Sequence, residues 1–390
     1  MMDVFILGAV RTAIGAFGGG LSGFSPAELG AAVAKEAIRR AGVSAEEVGH
    51  VVIGNVIPTG PEEAYLSRAI GLAAGIPKET PAMNVSRLCG SGAQAVVSAA
   101  QGIALGDFYV ALAGGAECMS RAPHYLTSGR FGQKMGDTKL LDGLTGVLTD
   151  PFGSGIMGVT AENIAERWGL TREEQDAFAL ESQRRAGEAM QKGHFKDQIL
   201  PIEAQVGRKT MLVEQDEHPK PATTAEQLAK LPTVFKKGGT VTAGNASGVN
   251  DGAAAIILAS GKRAASAKPL ARIVGYAHAG VDPAIMGTGP IPAVRALLAR
   301  TGMSTSDFDV IESNEAFAAQ ALCVTRDLGL DPAKVNPDGG AIALGHPVGA
   351  TGAILVIKAL SYLQRNNKRY GLITMCIGGG QGIALAIERV

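Results

Sequence analysis

The chain reads as an α/β protein built from two similar halves, and three observations predict that class. Apolar, strand-like runs alternate with alanine-rich helical runs, so that each half follows the order strand, helix, strand, helix, strand. Such alternation argues for mainly parallel sheets. A helical segment ending at residues 40–44 (RAGVS) and leading into 46–55 (EEVGHVVIGN) is matched by one ending at 300–304 (RTGMS) and leading into 307–314 (DFDVIESN). In each half a glycine-bearing turn then opens an apolar helix: 84–92 (NVSRLCGSG) before 93–105, and 335–352 (VNPDGGAIALGHPVGATG) before 353–360. Self-similarity of this kind marks an internal duplication.

Taken in order, the first strand is 4–8 (VFILG), and the first helix starts at Ser25-Pro26-Ala27-Glu28, with a cap, an N1 proline and an N3 glutamate. The strand-like run 108–117 (FYVALAGGAE) follows the helix over 93–105, and 370–377 (YGLITMCI) follows its counterpart. Between the halves, from about Arg121 to Ala246, the duplication is interrupted. Residues 121–140 show no clear period and form an extended excursion. Helices are predicted over 160–168 and 171–190, the second opening with the capping box Thr171 and Glu174, and a shorter one over Thr223 to Leu231. The expected division is 1–120 plus 247–268, an inserted 121–246, and 269–390. A chain of 390 residues that is 46% hydrophobic has material for two such cores plus an insertion.

Charge excludes some classes. Lys plus Arg equals Asp plus Glu at 36 each and aromatics are few, which gives no reason to expect nucleic-acid or anionic-membrane binding. The four cysteines, at 89, 118, 323 and 376, lack C-x-x-C spacing and paired histidines, so no metal site is expected. No apolar stretch is expected to reach the ~18 residues of a membrane span, and a strand-like run follows the N-terminus without a basic leader. A soluble, cytoplasmic protein is the expectation. Cys118 and Cys323 are expected in the core.

Two of the cysteines sit where chemistry is possible. Cys89 stands just ahead of a helix, where unpaired N–H groups and the helix dipole favour the thiolate, the nucleophilic form. His346 occupies the turn that opens the related helix of the second half. Pseudo-twofold halves bring corresponding helix N-termini together, and a histidine beside a cysteine activates the thiol. On pattern alone, capping or solvation is an equal reading of His346, and a buried apolar role is the commoner fate of a lone cysteine. Cys376 ends a strand and is followed by the cluster Gly378-Gly379-Gly380, which lets a backbone come close to a substrate oxygen. A cysteine hydrolase could use Cys, His and Asn, but hydrolysis needs no second thiol for carbon-acid chemistry.

These residues are similar to the thiolase family nearly end to end: 11–19 (RTAIGAFGG), 89–92 (CGSG), 114–117 (GGAE), 157–163 (MGVTAEN), 242–248 (TAGNASG), 314–317 (NEAF), 339–347 (GGAIALGHP) and 376–382 (CIGGGQG). Among thiolases the chain looks most like bacterial β-ketothiolases of broad or medium-chain preference.

The resemblance implies two α/β domains stacked as α-β-α-β-α layers, with a loop domain at 121–246 that serves oligomerisation and CoA binding. It also implies a homotetramer assembled as a dimer of dimers. The expected activity is thiolytic cleavage of 3-ketoacyl-CoA with CoA, or the reverse Claisen condensation. CoA and acyl-CoA are substrates, and no permanently bound cofactor is expected. By the same resemblance Cys89 is the acyl-accepting nucleophile, His346 its base and Cys376 the second acid/base. His346 with a water held by Asn314 forms one oxyanion hole, and the N–H groups of Cys89 and Gly378 form the other. Ser247 is placed on the pantetheine arm, Met157, Phe235 and Phe317 line that region, Lys220 lies toward the nucleotide end, and Glu315 orients or packs its loop. Many short-chain biosynthetic thiolases have a histidine where this chain has Ile156, a change expected to favour longer or bulkier acyl groups. A decarboxylating condensing enzyme of the same fold, and a silent partner-binding homologue, are the alternatives. The first generally uses two histidines and lacks Cys376.

Overall fold

The computed structural model describes residues 2–390. Nine strands form the path of one mixed sheet: β1 (Val4–Arg11), β2 (His50–Gly54), β3 (Ala82–Val85), β4 (Val110–Cys118), β5 (Asn250–Ser260), β6 (Ala271–Gly280), β7 (Val310–Ser313), β8 (Tyr370–Ile377) and β9 (Gln381–Arg389). Their order is β7-β8-β9-β6-β1-β5-β4-β2-β3, with the short strand Gly15–Ala16 added on β5. The two halves meet where β1 pairs with β6 through Phe5 with Arg272 and Ile6 with Ala271.

The expectation of mainly parallel sheets is corrected. Only β2 with β3, β2 with β4, and β7 with β8 run parallel. The pairs β1–β5, β1–β6, β4–β5, β6–β9 and β8–β9 are antiparallel. The reason is connectivity. Helical crossovers produce the parallel pairs, but β8 turns straight into β9 over Gly378–Gly380, and a tight turn joins antiparallel strands only. β5 returns from the long insertion to the corresponding place in the first half.

The helices supply the remaining layers. Helix α1 (Pro26–Ala41) covers the outer face of β1, β4 and β5. The helices α2 (Ser91–Leu105), α3 (Met157–Trp168), α4 (Arg172–Gln191), α5 (Pro290–Thr301), α6 (Ala318–Asp327) and α7 (Thr351–Arg365) follow. Helix α5 covers β6 and β9 as α1 covers the first half. Helices α2 and α7 pack on each other between the two half-sheets, which completes the α-β-α-β-α stack. Local chemistry fixes the starts. The Ser25 hydroxyl accepts from the Glu28 N–H in a capping box ahead of α1, and Thr171 with Glu174 does the same ahead of α4.

The central pair explains the small residues around Cys89 and His346. A Cβ added to Gly92 would lie 2.8 Å from the Ala353 nitrogen, and one added to Gly352 would collide with the Ala93 backbone. Only glycine allows two helices to meet backbone to backbone there. Against the expectation of none, one apolar window, Leu88–Leu105, reaches 18 residues, and it is mostly buried, as in a core helix.

The excursion after Arg121 carries a hairpin, His124–Leu126 against Leu140–Asp142. The predicted helices within the insertion occur as α3 and α4, with Ala225–Ala229 as the short one. A bidentate pair between Arg11 and Asp216, with both side chains fully buried, ties the insertion to the end of β1. Cys118 and Cys323 are fully buried, as expected.

Candidate active site

Cys89 lies in a closed turn two residues ahead of α2. Leu88 takes a left-handed conformation (φ 43°), and the Ser91 hydroxyl accepts from the Arg87 N–H at 2.8 Å while donating to the Leu88 carbonyl at 2.7 Å. A bulky residue with positive φ stores strain that the surrounding bonds must hold. Cys89 as a whole residue is half-buried. Burial nevertheless pushes its pKa up, while the N–H groups of Gly378 and of Cys89 itself pull it down and the charge of Glu117 raises it. This corrects the expectation of a helix-stabilised thiolate. The N–H groups of Gly90 and Ser91 are engaged by the carbonyls of Arg87 and Leu88, and desolvation wins over the dipole. Cys89 rests as a thiol with two backbone donors aimed at its sulfur.

His346 is buried in the turn ahead of α7, and the structure sets its tautomer. The Thr351 hydroxyl donates its one proton to the Pro347 carbonyl at 2.9 Å, so at 2.7 Å it accepts from Nδ1–H of His346. That leaves Nε2 as the accepting nitrogen, to which the Asn314 amide Nδ2 donates at 3.4 Å. Burial lowers the His346 pKa to about 4, so the ring is a neutral base. The Asn250 side-chain oxygen holds the His346 N–H at 2.9 Å. Asn314 is fully buried just after β7, and its Oδ1 has no partner among the described residues. Its N–H is fixed by the Thr374 carbonyl at 3.0 Å.

Cys376 is buried near the end of β8, and its pKa is pushed far up by desolvation and then by the neighbouring Cys89. Met157, Met286 and Ala316 pack around it, with Phe317 alongside. Gly378 follows in the turn. A Cβ on it would press on Met157 at 3.1 Å and on Leu88 at 3.2 Å, and Gly379 and Gly380 both have positive φ. The turn therefore runs directly against the residue before the nucleophile.

Around this centre lie the other predicted residues. Phe235 and Phe317 meet edge to face with centroids 6.0 Å apart, and Phe235 lies over Gly158 at the start of α3. Ser247 is partly exposed, held by its N–H to the Ala316 carbonyl at 3.0 Å. Lys220 is exposed, and its N–H binds the Gln183 side chain at 2.8 Å. His218, two residues earlier, presses on Gly248 beside Ser247, so this segment and Ser247 share one wall. Ile156 caps α3 and is 36% exposed. Glu315 is buried and ties its loop to Ser182, Asn336 and the Ile342 N–H. Sequence reasoning missed Thr351, Asn250, Met286 and Phe152, which is exposed and lies against Gly379. Among the described residues, no three His, Cys, Asp or Glu side chains are grouped to hold a metal ion.

Two family models match, the thiolase N-terminal domain over residues 4–262 and the thiolase C-terminal domain over 267–389. The chain belongs to the thiolase family. The β-ketothiolase BktB of Cupriavidus necator is 54% identical over 391 residues, covering 100% of this chain and 99% of that protein. A Bacillus anthracis acetyl-CoA acetyltransferase superposes with a TM-score of 0.98 at 46% identity, covering 100% of this thiolase and 99% of that chain. Human mitochondrial 3-ketoacyl-CoA thiolase in complex with CoA superposes at 0.97 with 48% identity, over 100% and 98%. This thiolase is thus an acyltransferase acting on acyl-CoA thioesters by cleavage or condensation.

Proposed function

We propose that this thiolase works by a ping-pong path through an acyl-Cys89 intermediate and accepts 3-ketoacyl-CoA substrates longer than acetoacetyl-CoA. The observation that carries the mechanism is the fixed tautomer of His346, which leaves a neutral Nε2 in the site shared with Asn314. In the cleaving direction Nε2 takes the Cys89 proton and the sulfur attacks C3 of the substrate. The resulting oxyanion breaks the C2–C3 bond, and the departing acetyl-CoA carbanion takes a proton from Cys376. Burial that keeps Cys376 protonated suits it to that step. CoA then gives its proton to the Cys376 thiolate and attacks the acyl-Cys89 thioester. Cys89 leaves and recovers its proton from His346.

Oxygens that become negative on this path meet prepared donors. The N–H groups of Cys89 and Gly378 suit one oxyanion, and His346 with a water on Asn314 suits the other. Ser247, Met157, Phe235, Phe317 and Lys220 are assigned to CoA and the pantetheine arm, and CoA is a substrate, with no resident cofactor required. Ile156 offers no hydrogen bond and is exposed at the start of α3, which favours bulkier acyl chains. Two working thiols suit a reducing compartment, the cytoplasm, and the assembly is read as a homotetramer, a dimer of dimers.

The test is thiolytic cleavage of 3-ketoacyl-CoA of increasing chain length, with wild type beside Cys89→Ala. We expect turnover across several lengths in wild type and none in the variant. Strict acetoacetyl-CoA preference would sink the Ile156 argument. Absence of cleavage at every length would bring forward the silent homologue.

A further inference from the structure

The 114–117 motif ends in an acid that the mechanism above does not use. Glu117 is fully buried in β4, one residue before that strand ends at Cys118, and none of its hydrogen-bond partners among the described residues is a cation. Its carboxylate is instead surrounded by N–H groups. Oε1 accepts from the Asn55 amide at 3.0 Å and from the Ile57 N–H at 3.1 Å, and Oε2 accepts from the Val56 N–H at 3.0 Å and the Gly349 N–H at 2.8 Å. Three of these donors belong to the loop after β2. The fourth belongs to the turn that carries His346, three residues earlier in the chain. A side chain on Gly349 would run into the Glu117 carboxylate and Asn55, so the turn is seated on this acid at closest approach.

Both loops border the nucleophile. Ile57 and Val348 lie in the apolar cluster against which Cys89 packs. Glu117 therefore sits beneath two walls of the thiol, and its charge is felt there. The internal duplication sharpens the point. Glu117 pairs with Gly252 across β4 and β5, and Cys376 pairs with Gly382 across β8 and β9. The strands that end at Asn55 and Asn314 correspond in the same way. Where the second half keeps a reacting thiol, the first half keeps a carboxylate filled by backbone donors.

We propose that Glu117 is a positioning residue for acyl transfer: by holding the N–H groups of Val56, Ile57 and Gly349 it fixes the loops flanking Cys89, and with them the His346 turn. Thr351 holds the imidazole of that turn and Glu117 holds its backbone, so the base has two fixed points. Burial pushes the Glu117 pKa up to about 8 against the pull of the Ile57, Val56 and Gly349 N–H groups, and the charge of Asp251 on β5 adds a smaller rise. Asp251, Cys118 and Cys89 are the ionisable groups whose charges couple to it, and the 55–57 loop presents an amide and N–H groups.

The inference rests on the thiolase reading, and the test separates the two. Glu117→Gln and Glu117→Asp are compared with wild type for thiolysis kcat and KM, for thermal midpoint, and for the pH dependence of Cys89 alkylation by iodoacetamide. Glutamine presents an amide N–H to a site full of donors, so kcat should fall about 10- to 100-fold with KM within about twofold. Loss of the carboxylate charge should also move the alkylation midpoint to lower pH. Aspartate keeps the charge but cannot reach both loops, so kcat should fall while the midpoint stays. A Glu117→Gln protein with kcat within twofold of wild type and an unmoved alkylation midpoint overturns the proposal. Should the glutamine protein fail to fold, wild-type kcat in Glu117→Asp overturns it equally. Wild type without any thiolysis would instead overturn the functional reading, while the alkylation profiles still decide the role of Glu117.

Discussion

At the scale of single residues, the acid–base order of the site follows from which groups can lose or gain a proton when buried. Thr351 has one hydroxyl proton, and its donation to Pro347 forces Nδ1 of His346 to carry the ring hydrogen. Thr351→Val keeps the shape and removes the acceptor, leaving a buried N–H unsatisfied and both tautomers accessible. We expect kcat for thiolysis to fall about 10- to 100-fold, with Thr351→Ser restoring most of it. The pH profile follows from the same ring. With a pKa of about 4 for His346, kcat/KM should stay flat from pH 7 to about pH 5 and fall about tenfold per unit below about pH 4. Stability works on the same group with a defined sign. An unfolded histidine titrates near 6.5, so between about 6.5 and 4 the unfolded chain binds the extra proton and stability drops on acidification, by at most about 3 kcal/mol. Rates measured after a rapid pH jump, before unfolding, separate the catalytic limb from the stability limb.

At the scale of elements, the meeting of α2 and α7 decides where Cys89 and His346 stand. Their N-terminal ends can only be adjacent because Gly92 and Gly352 carry no side chain. Gly352→Ala places a methyl group against the Ala93 backbone, which cannot swing aside as a side chain could. Overpacking of this kind costs about 1–3 kcal/mol, and a backbone neighbour puts the expected loss near the upper end. Urea unfolding measures it, and thiolysis should fall with it because the two helix ends separate. How legible these features were depends on the range over which they are decided. Capping boxes at Ser25 and Thr171 are local, and α1 and α4 begin where the sequence placed them. Cys89, His346, Asn314 and Cys376 were legible as motif positions. Strand direction was not, because the turn at Gly378–Gly380 and the return of β5 set it rather than the alternation of runs. Asn250 was not either: it reaches His346 across 96 residues of chain, and Glu117 reaches Gly349 across 232. No local spacing announces such a bond. The resting state of Cys89 was misjudged for a related reason, since its helix position was visible and its desolvation was not.

At the scale of the whole molecule, the surface carries two features that a lone subunit leaves unsatisfied. β3 is an edge strand of the sheet, with its own Met83 exposed, and an open edge is a template for pairing. The excursion after Arg121 is the other. Phe131 and Met135 are each 90% exposed, and Tyr125, Leu126, Leu140 and Leu141 are exposed on the hairpin below them. Apolar area of this extent, at about 25 cal/mol per Å², favours burial against another surface. Two distinct surfaces are what a dimer of dimers requires, because one twofold contact closes a pair and a second is needed to join pairs. The expected assignment is the sheet edge for the pair and the excursion for the joining. Phe131→Glu combined with Met135→Glu should therefore halve the sedimenting mass of the proposed tetramer and leave dimers, while Cys89 alkylation stays within about twofold of wild type. A variant that still sediments as a tetramer removes the excursion from assembly. A variant that falls to monomers shows instead that the excursion, and not β3, closes the pair.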